Sequence, residues 1–195
     1  MKTIGITGGV GAGKSAVLEY LADNYNCDII MTDDVAKGLY TKGSKTYEMM
    51  IALIGEDIVD ETGEIDKKKL ADIIFSNANK RMAVNSIVHP AVKQEVITRI
   101  TNNKIAGRLD YTFVESALLL TEHYDVFCDE VWYIDTSEDI RRQRLKESRG
   151  YSEKINNILK SQQALENIKD KCSYCIDNNK DLEYTFRQIQ NILLS

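Results

Sequence analysis

Near the start of the chain, Gly8-Gly9-Val10-Gly11-Ala12-Gly13-Lys14-Ser15 has the G-x-x-x-x-G-K-[ST] spacing of a phosphate-binding loop. Glycines let such a backbone turn tightly, so that consecutive N–H groups form an anion cradle. A helix starting at Lys14 adds the positive end of its dipole. Lys14 would place a charge on the β- and γ-phosphates, and the Ser15 hydroxyl would ligate Mg²⁺. A glycine-rich surface turn could match the same spacing. Here, however, the motif lies between an apolar strand and an amphipathic helix, the context that a phosphate loop requires.

The loop points to a nucleoside triphosphate and magnesium but leaves the phosphoryl acceptor open. A guanine-reading N-K-x-D segment is missing from the sequence. A small-molecule kinase using ATP would need an acid after the second strand, basic residues near the phosphates and a substrate-sized insertion. Asp33 follows the second strand, where it could face the loop across the sheet's C-terminal edge. Arg141, Arg142, Arg144 and Arg149 crowd one helix and the loop after it, and Arg141 and Arg144 can share a face at i, i+3. The same run also fits an ordinary solvated helix surface. Glu115 ends an apolar strand, where a P-loop enzyme often keeps a second acid that holds magnesium, here through water. His89 has the chemistry of a general base, but His89-Pro90 also reads as a helix boundary. Cys172-Ser173-Tyr174-Cys175 has C-x-x-C spacing but lacks two further zinc ligands at suitable spacing.

The elements that must position these residues follow from periodicity. Lys2–Thr7 is short and β-leaning, and Val17, Leu18 and Leu21 then recur at helical spacing over Ser15–Asp23. Cys27–Met31 forms a second strand. From about Gly38 to Lys104 the pattern turns helical: Met50, Leu53 and Ile54, then Leu70, Ile73 and Ile74, then Val92, Val96 and Ile100. The turn Asp60-Glu61-Thr62-Gly63 separates two of these helices. Strands return at Tyr111–Glu115, Val131–Asp135 and Cys175–Asp177. Helices are expected at Glu138–Lys146, Ser152–Asn167 and Asp181–Leu194, the last with Leu182, Phe186, Ile189 and Leu193 on one face. Alternating strands and helices predict an α/β fold, a mainly parallel sheet flanked by helices.

Composition narrows the class. At 195 residues the length suits one domain with an insertion, and such a chain buries roughly 70% of its unfolded surface without metal or disulfide staples. With 25 basic against 30 acidic residues and a net charge of -5, a general duplex DNA or anionic-membrane binder is disfavoured. No run approaches the roughly 18 apolar residues of a membrane span, and glycine-rich sequence arrives too early for a signal peptide. Four cysteines without such a signal read as reduced thiols. A cytoplasmic protein, monomeric or weakly self-associating and binding neither nucleic acid nor membrane, is the expectation.

Taken in order along the chain, several segments resemble the dephospho-CoA kinase family: Ile4 to Ser15, Thr32-Asp33 with Val35-Ala36-Lys37, Gly63-Glu64-Ile65-Asp66 with Leu70 and Phe75, His89-Pro90, Val114 to Leu120, Arg144, Gln162 and Ile176-Asp177-Asn178-Asn179. The resemblance implies a P-loop kinase fold with a helical substrate-binding insertion and a lid. On this chain the core would span about 1–37 and 108–195, the helical region about 38–107, and the lid about 141–165. It implies ATP-dependent phosphorylation of the ribose 3′-hydroxyl of dephospho-CoA, the last step of coenzyme A synthesis, with ATP and Mg²⁺. ATP contacts would fall on Gly9, Val10, Gly11, Ala12, Gly13, Lys14, Ser15, Ala16 and Asn178. Thr7, Asp33, His89 and Pro90 would lie on the acceptor side, and Asp33, Lys14, Arg144 and Arg149 would act in catalysis. The chain departs from the family pattern at Met31, at Ala117 to Thr121 and at Cys172-Ser173, and Arg149 aligns only across a gap. Another P-loop kinase of a nucleoside, nucleotide or small alcohol, or a nucleotide-binding regulatory protein without turnover, are the alternative readings.

Overall fold

The computed structural model describes residues 1–149 and 168–194, with residues 148 and 149 by their helical backbone alone. The chain divides into two compact units, Met1–Ile29 with Asn103–Ser195, and Ile30–Asn102. Its strands are β1 (Lys2–Thr7), β2 (Cys27–Met31), β3 (Tyr111–Glu115), β4 (Glu130–Asp135) and β5 (Tyr174–Asp177). Among the described residues the helices are α1 (Lys14–Asn24), α2 (Thr32–Leu39), α3 (Lys45–Ile54), α4 (Lys67–Ser76), α5 (Ala78–Ala106), α6 (Glu138–Arg149) and α7 (Leu182–Leu194). The helix expected at Ser152–Asn167 lies outside the described residues. No described helix is long and apolar enough to cross a membrane.

The first unit is built on a sheet of order β2-β3-β1-β4-β5. β1 pairs in parallel with β3 and with β4, Gly5 facing Val114 on one side and Val131 on the other, and β4 pairs in parallel with β5. A central parallel strand is covered on both faces and so must be apolar throughout. Ile4 and Ile6 are accordingly fully buried, together with Thr3 and Thr7. Phe113 and Trp132, both fully buried, extend this core across the sheet as one aromatic row with Tyr25, Tyr111 and Tyr174. α1 buries Val17, Leu18 and Leu21. Its Tyr20 ring stacks on Phe186 of α7, with centroids 4.0 Å apart and planes 7° from parallel. The buried face of α7 is Thr185 and Ile189, whereas Leu182, expected to share it, is 45% exposed in the helix's first turn.

The second unit is helical. α2 begins directly after β2, α3 is capped by Ser44, whose hydroxyl accepts from Tyr47 N, and α4 by Asp66, whose carboxylate accepts from Lys68 N and Lys69 N. Between α3 and α4, the turn at Asp60–Gly63 is closed by an antiparallel bridge from Val59 to Ile65. The principal departure from expectation is α5, which runs 29 residues with Pro90 inside it. The reading of His89-Pro90 as a helix boundary is therefore corrected. A proline in a helix interior costs about 3 kcal/mol. Val84, Val88, Val92, Val96 and Ile100 form a buried stripe at every fourth position, and each such side chain contributes about 1.5–3 kcal/mol on burial. The stripe outweighs the proline, which sits exposed off that face.

Candidate active site

The phosphate loop follows β1, the middle strand of the five, at the C-terminal edge where open α/β sheets bind ligands. Two of its glycines are required by what surrounds them. Gly13, the residue before α1, has φ +90° and leaves no room for a Cβ beside the Asn178 amide. A Cβ on Gly9 would overlap the Arg141 guanidinium.

Lys14 opens α1 and folds back over its own loop. Its Nζ donates to Gly8 O at 2.9 Å and to Gly9 O at 3.4 Å, and lies 3.5 Å from Glu115 Oε1. Glu115 is buried at the end of β3. The expected acid is thus beside the loop, ion-paired to the loop lysine. Ser15 is exposed on the first turn of α1, with its hydroxyl free to reach a ligand, and Ala16 is half-buried behind it.

Beneath the loop, a buried polar network converges on one carbonyl. Ala12 O accepts from Asn178 Nδ2 at 2.7 Å, Thr136 Oγ1 at 2.9 Å and Arg144 Nη1 at 3.4 Å. Arg144 Nη2 donates to Asn178 O at 3.1 Å, and Thr185 Oγ1 donates to Asn178 Oδ1 at 2.8 Å. Asn178 has no exposed surface and both ends of its amide are engaged. Asn178, expected among the ATP contacts, here supports the loop from behind through its amide. Arg144, expected over the phosphates, is likewise placed against the loop's Ala12 and the carbonyl of Asn178. Thr7, expected toward the acceptor, is enclosed at the end of β1, and its hydroxyl has no hydrogen-bond partner.

Sequence reasoning left Arg141 out of the site. It is 5% exposed, its Nε donates to Val10 O at 2.9 Å, and its guanidinium lies against Gly9. Leu145, one turn further along α6, packs against Val10. An available signal was Leu145, an apolar residue in a charged run, which marks the docked face at i+4 from Arg141.

In the helical unit, Asp33 is exposed in the first turn of α2. The Tyr40 phenol is pushed up mainly by its burial and secondarily by the negative charge of Asp33. Asp34 is paired with Lys37 at 2.5 Å. On α5, His89 is half-buried and Pro90 exposed. The side chain of Arg149 and the remainder of the expected lid to residue 165 lie outside the described residues. The C-x-x-C thiols do not gather ligands: among the described residues no three His, Cys, Asp or Glu side chains form a metal-holding group. Burial raises the Cys172 thiol to about 11, which keeps it protonated at neutral pH.

The dephospho-CoA kinase family model matches residues 2–183, spanning both units. The chain belongs to the dephospho-CoA kinase family. Proteins named dephospho-CoA kinase from Oceanobacillus iheyensis and Streptococcus mutans are 32% and 33% identical to it, with 97% and 98% of this chain and 95% and 96% of theirs aligned. Among solved structures, a Thermus thermophilus protein superposes with a TM-score of 0.80 at 24% identity, covering 99% of this chain and 96% of its own. A shikimate kinase from Acinetobacter baumannii, in complex with shikimate, superposes at 0.54 and 16% identity, over 99% of this chain and 93% of its own. These two establish the P-loop kinase fold. Family membership makes the protein a kinase, and with that fold it makes it a user of nucleotide.

Proposed function

We propose that the protein transfers the γ-phosphoryl group of ATP to the ribose 3′-hydroxyl of dephospho-CoA, giving coenzyme A and ADP, the last step of coenzyme A synthesis. Membership of the family across both units is the observation that carries this reading. We assign it to the cytoplasm on the same ground.

The residues present fit a magnesium-bound triphosphate. The loop has the positive-φ glycines of an anion cradle, a lysine held at its mouth and an exposed serine hydroxyl at the start of α1. Magnesium, when bound, would supply positive charge against that developing on the transferring phosphates. Ser15 would ligate it directly and Glu115 through water. Lys14 would exchange its carbonyl contacts for phosphate oxygens, and the backbone N–H groups from Gly9 to Ala16 would hold the remaining charge. Because the phosphoryl transition state is loose, positioning and charge stabilisation dominate over covalent assistance.

The acceptor hydroxyl needs a partner for its proton, and Asp33 has the carboxylate for it. Asp33 is exposed, and the neighbouring Asp34 is held by Lys37. We assign the helical region, with His89 and Pro90, to acceptor binding, and Arg144 and Arg149 to the lid side of the nucleotide.

A coupled assay of ADP release with ATP and dephospho-CoA, run beside adenosine and AMP as acceptors, tests the proposal. Turnover with dephospho-CoA and a product carrying one new 3′-phosphate is expected. Preference for AMP or adenosine would indicate a different small-molecule kinase. Tight ATP binding with no turnover on any acceptor would favour the regulatory reading.

A further inference from the structure

α6 carries four arginines, and among the three whose side chains are described only Arg141 is buried. Arg141 is 5% exposed, whereas Arg142 stands in solvent and pairs with Glu138 one turn back at 2.6 Å. Arginine keeps its charge at any ordinary pH, and burying a charge is unfavourable unless it is well paired and hydrogen-bonded. A buried guanidinium therefore needs a structural reason, and the reason lies in the phosphate loop. Arg141 Nε donates to Val10 O at 2.9 Å, and the flat guanidinium fills the space that a Cβ on Gly9 would occupy. Leu145 holds the Val10 side chain from the same helix face, and a Cβ on Gly11 would meet Arg141 O at 3.0 Å.

These contacts have a consequence for the loop's donors. A cradle works when its N–H groups point inward to the anion and its carbonyls are turned away and satisfied elsewhere. Ala12 O is satisfied by Thr136, Asn178 and Arg144. Val10 O, two residues earlier, is satisfied by Arg141.

We propose that Arg141 is a positioning residue for the nucleotide, holding the Val10–Gly11 peptide by its carbonyl so that the loop's N–H groups face the polyphosphate. It acts through the loop, by a directed hydrogen bond and a close-packed planar face. The inference rests on the kinase reading only in needing a nucleotide that the loop binds.

The experiment measures magnesium-ATP affinity by calorimetry without acceptor, and the KM for ATP and for the acceptor in the steady state, in the full chain and in three variants. Arg141→Ala should weaken ATP about 10–100-fold while the acceptor KM changes less than about 2-fold, since a lost preorganised donor typically costs that order. Arg141→Gln keeps an N–H donor of similar reach without the charge, and Arg141→Lys keeps the charge without the planar face. Recovery of ATP affinity by the glutamine variant to within about 5-fold of the unmodified protein, and beyond the lysine variant, is the expected result. Full recovery by lysine alone would overturn positioning in favour of a bare charge effect. Equal losses for both substrates with a lowered melting temperature would reduce Arg141 to general stability, and unchanged ATP affinity in all three would also overturn the proposal. Failure of the unmodified protein to bind ATP would remove the kinase reading itself, a result separate from any variant's.

Discussion

Ala12 O and the Asp33 carboxylate are both acceptor groups that the proposed reaction depends on, and the two units treat them oppositely. Ala12 O lies in a buried network of Thr136, Arg144, Asn178 and, one bond further, Thr185. Asp33 stands exposed on the first turn of α2, and the same unit exposes Phe75 and Met82, at 79% and 61%. On the proposed reading, the loop meets its ligand largely with backbone N–H groups beside Lys14 and Ser15, and that backbone is held from behind by Thr136 and Asn178. The helical unit presents side chains, which need only a firm helix beneath them. It follows that a substitution in the first unit should couple affinity to stability, and one in the second should separate them.

The sharpest test of that separation is Asp33. Asp33→Asn should lower turnover by about 10²–10⁴-fold, the usual span of a general-base contribution, with a melting temperature and ATP affinity matching the unmodified protein. Asp34→Asn loses only an exposed pair with Lys37 and should be near neutral in turnover, because such pairs contribute about 1 kcal/mol or less. A crippling Asp34→Asn with a mild Asp33→Asn would move the acid by one residue. Next in size is Lys14→Ala, expected to lower turnover by about 10²–10³-fold through the loss of one preorganised cationic donor. Here the comparison predicts mixed behaviour. Lys14 is assigned to the phosphates, yet its contacts with Gly8 O, Gly9 O and Glu115 are internal. Differential scanning calorimetry should therefore show a change in melting temperature that Asp33→Asn lacks.

Thr185→Val addresses the other side. It removes the donor to Asn178 Oδ1 in a fully buried position, and an amide oxygen deprived of a buried donor costs about 1–3 kcal/mol. For a chain of this size each kcal/mol lowers the melting temperature by about 2–4 °C. The ATP KM should rise with the loss of stability, because Asn178 also holds Ala12. A melting shift with no change in ATP KM would show the network to be stabilising only.

The same contrast explains what could be read from the residues alone. The phosphate loop and its strand were readable because Gly, Lys and Ser at fixed spacing and a short apolar run are local signals. Strands β1, β2 and β3 fall on the expected residues. Asp33 was readable because it follows β2 directly. The loop's supports were not, since which of Arg141, Arg142 and Arg144 turns inward depends on how α6 docks, a tertiary choice that i, i+3 spacing leaves open. Asn178 lies after a strand, and its place in sequence does not reveal that its amide donates to the Ala12 carbonyl. Pro90 misled for a related reason. Its local cost is fixed, but the valine stripe that offsets it extends over 17 residues, from Val84 to Ile100.

The smallest expected effect tests where the two units are alike. The described donors to Ala12 O are a hydroxyl, an amide and a guanidinium, with no carboxyl group among them. Acid sensitivity should therefore come from carboxylates held in turns, and one from each unit serves to test it. Asp177 accepts from the Asn179 side chain at 2.6 Å and from Asn179 N at 3.0 Å, and these hydrogen bonds hold its carboxyl below the usual range. In the helical unit, Asp60 accepts from Thr62 Oγ1 at 2.6 Å, Thr62 N at 2.8 Å and Glu64 N at 3.1 Å, and its carboxyl is lowered in the same way. A carboxyl whose folded pKa is depressed stabilises the fold above its unfolded pKa of about 3.9, and that contribution is lost as pH falls through the folded value. The melting-temperature gap between the unmodified protein and Asp177→Asn should thus be widest near neutral pH and close below about pH 4. Solvent screening limits it to roughly 2 °C. Asp60→Asn should close over the same window. A gap that instead widened on acidification would mean that the carboxylate is the less favoured form in the folded chain, and the hydrogen bonds drawn to it would then belong to the protonated acid.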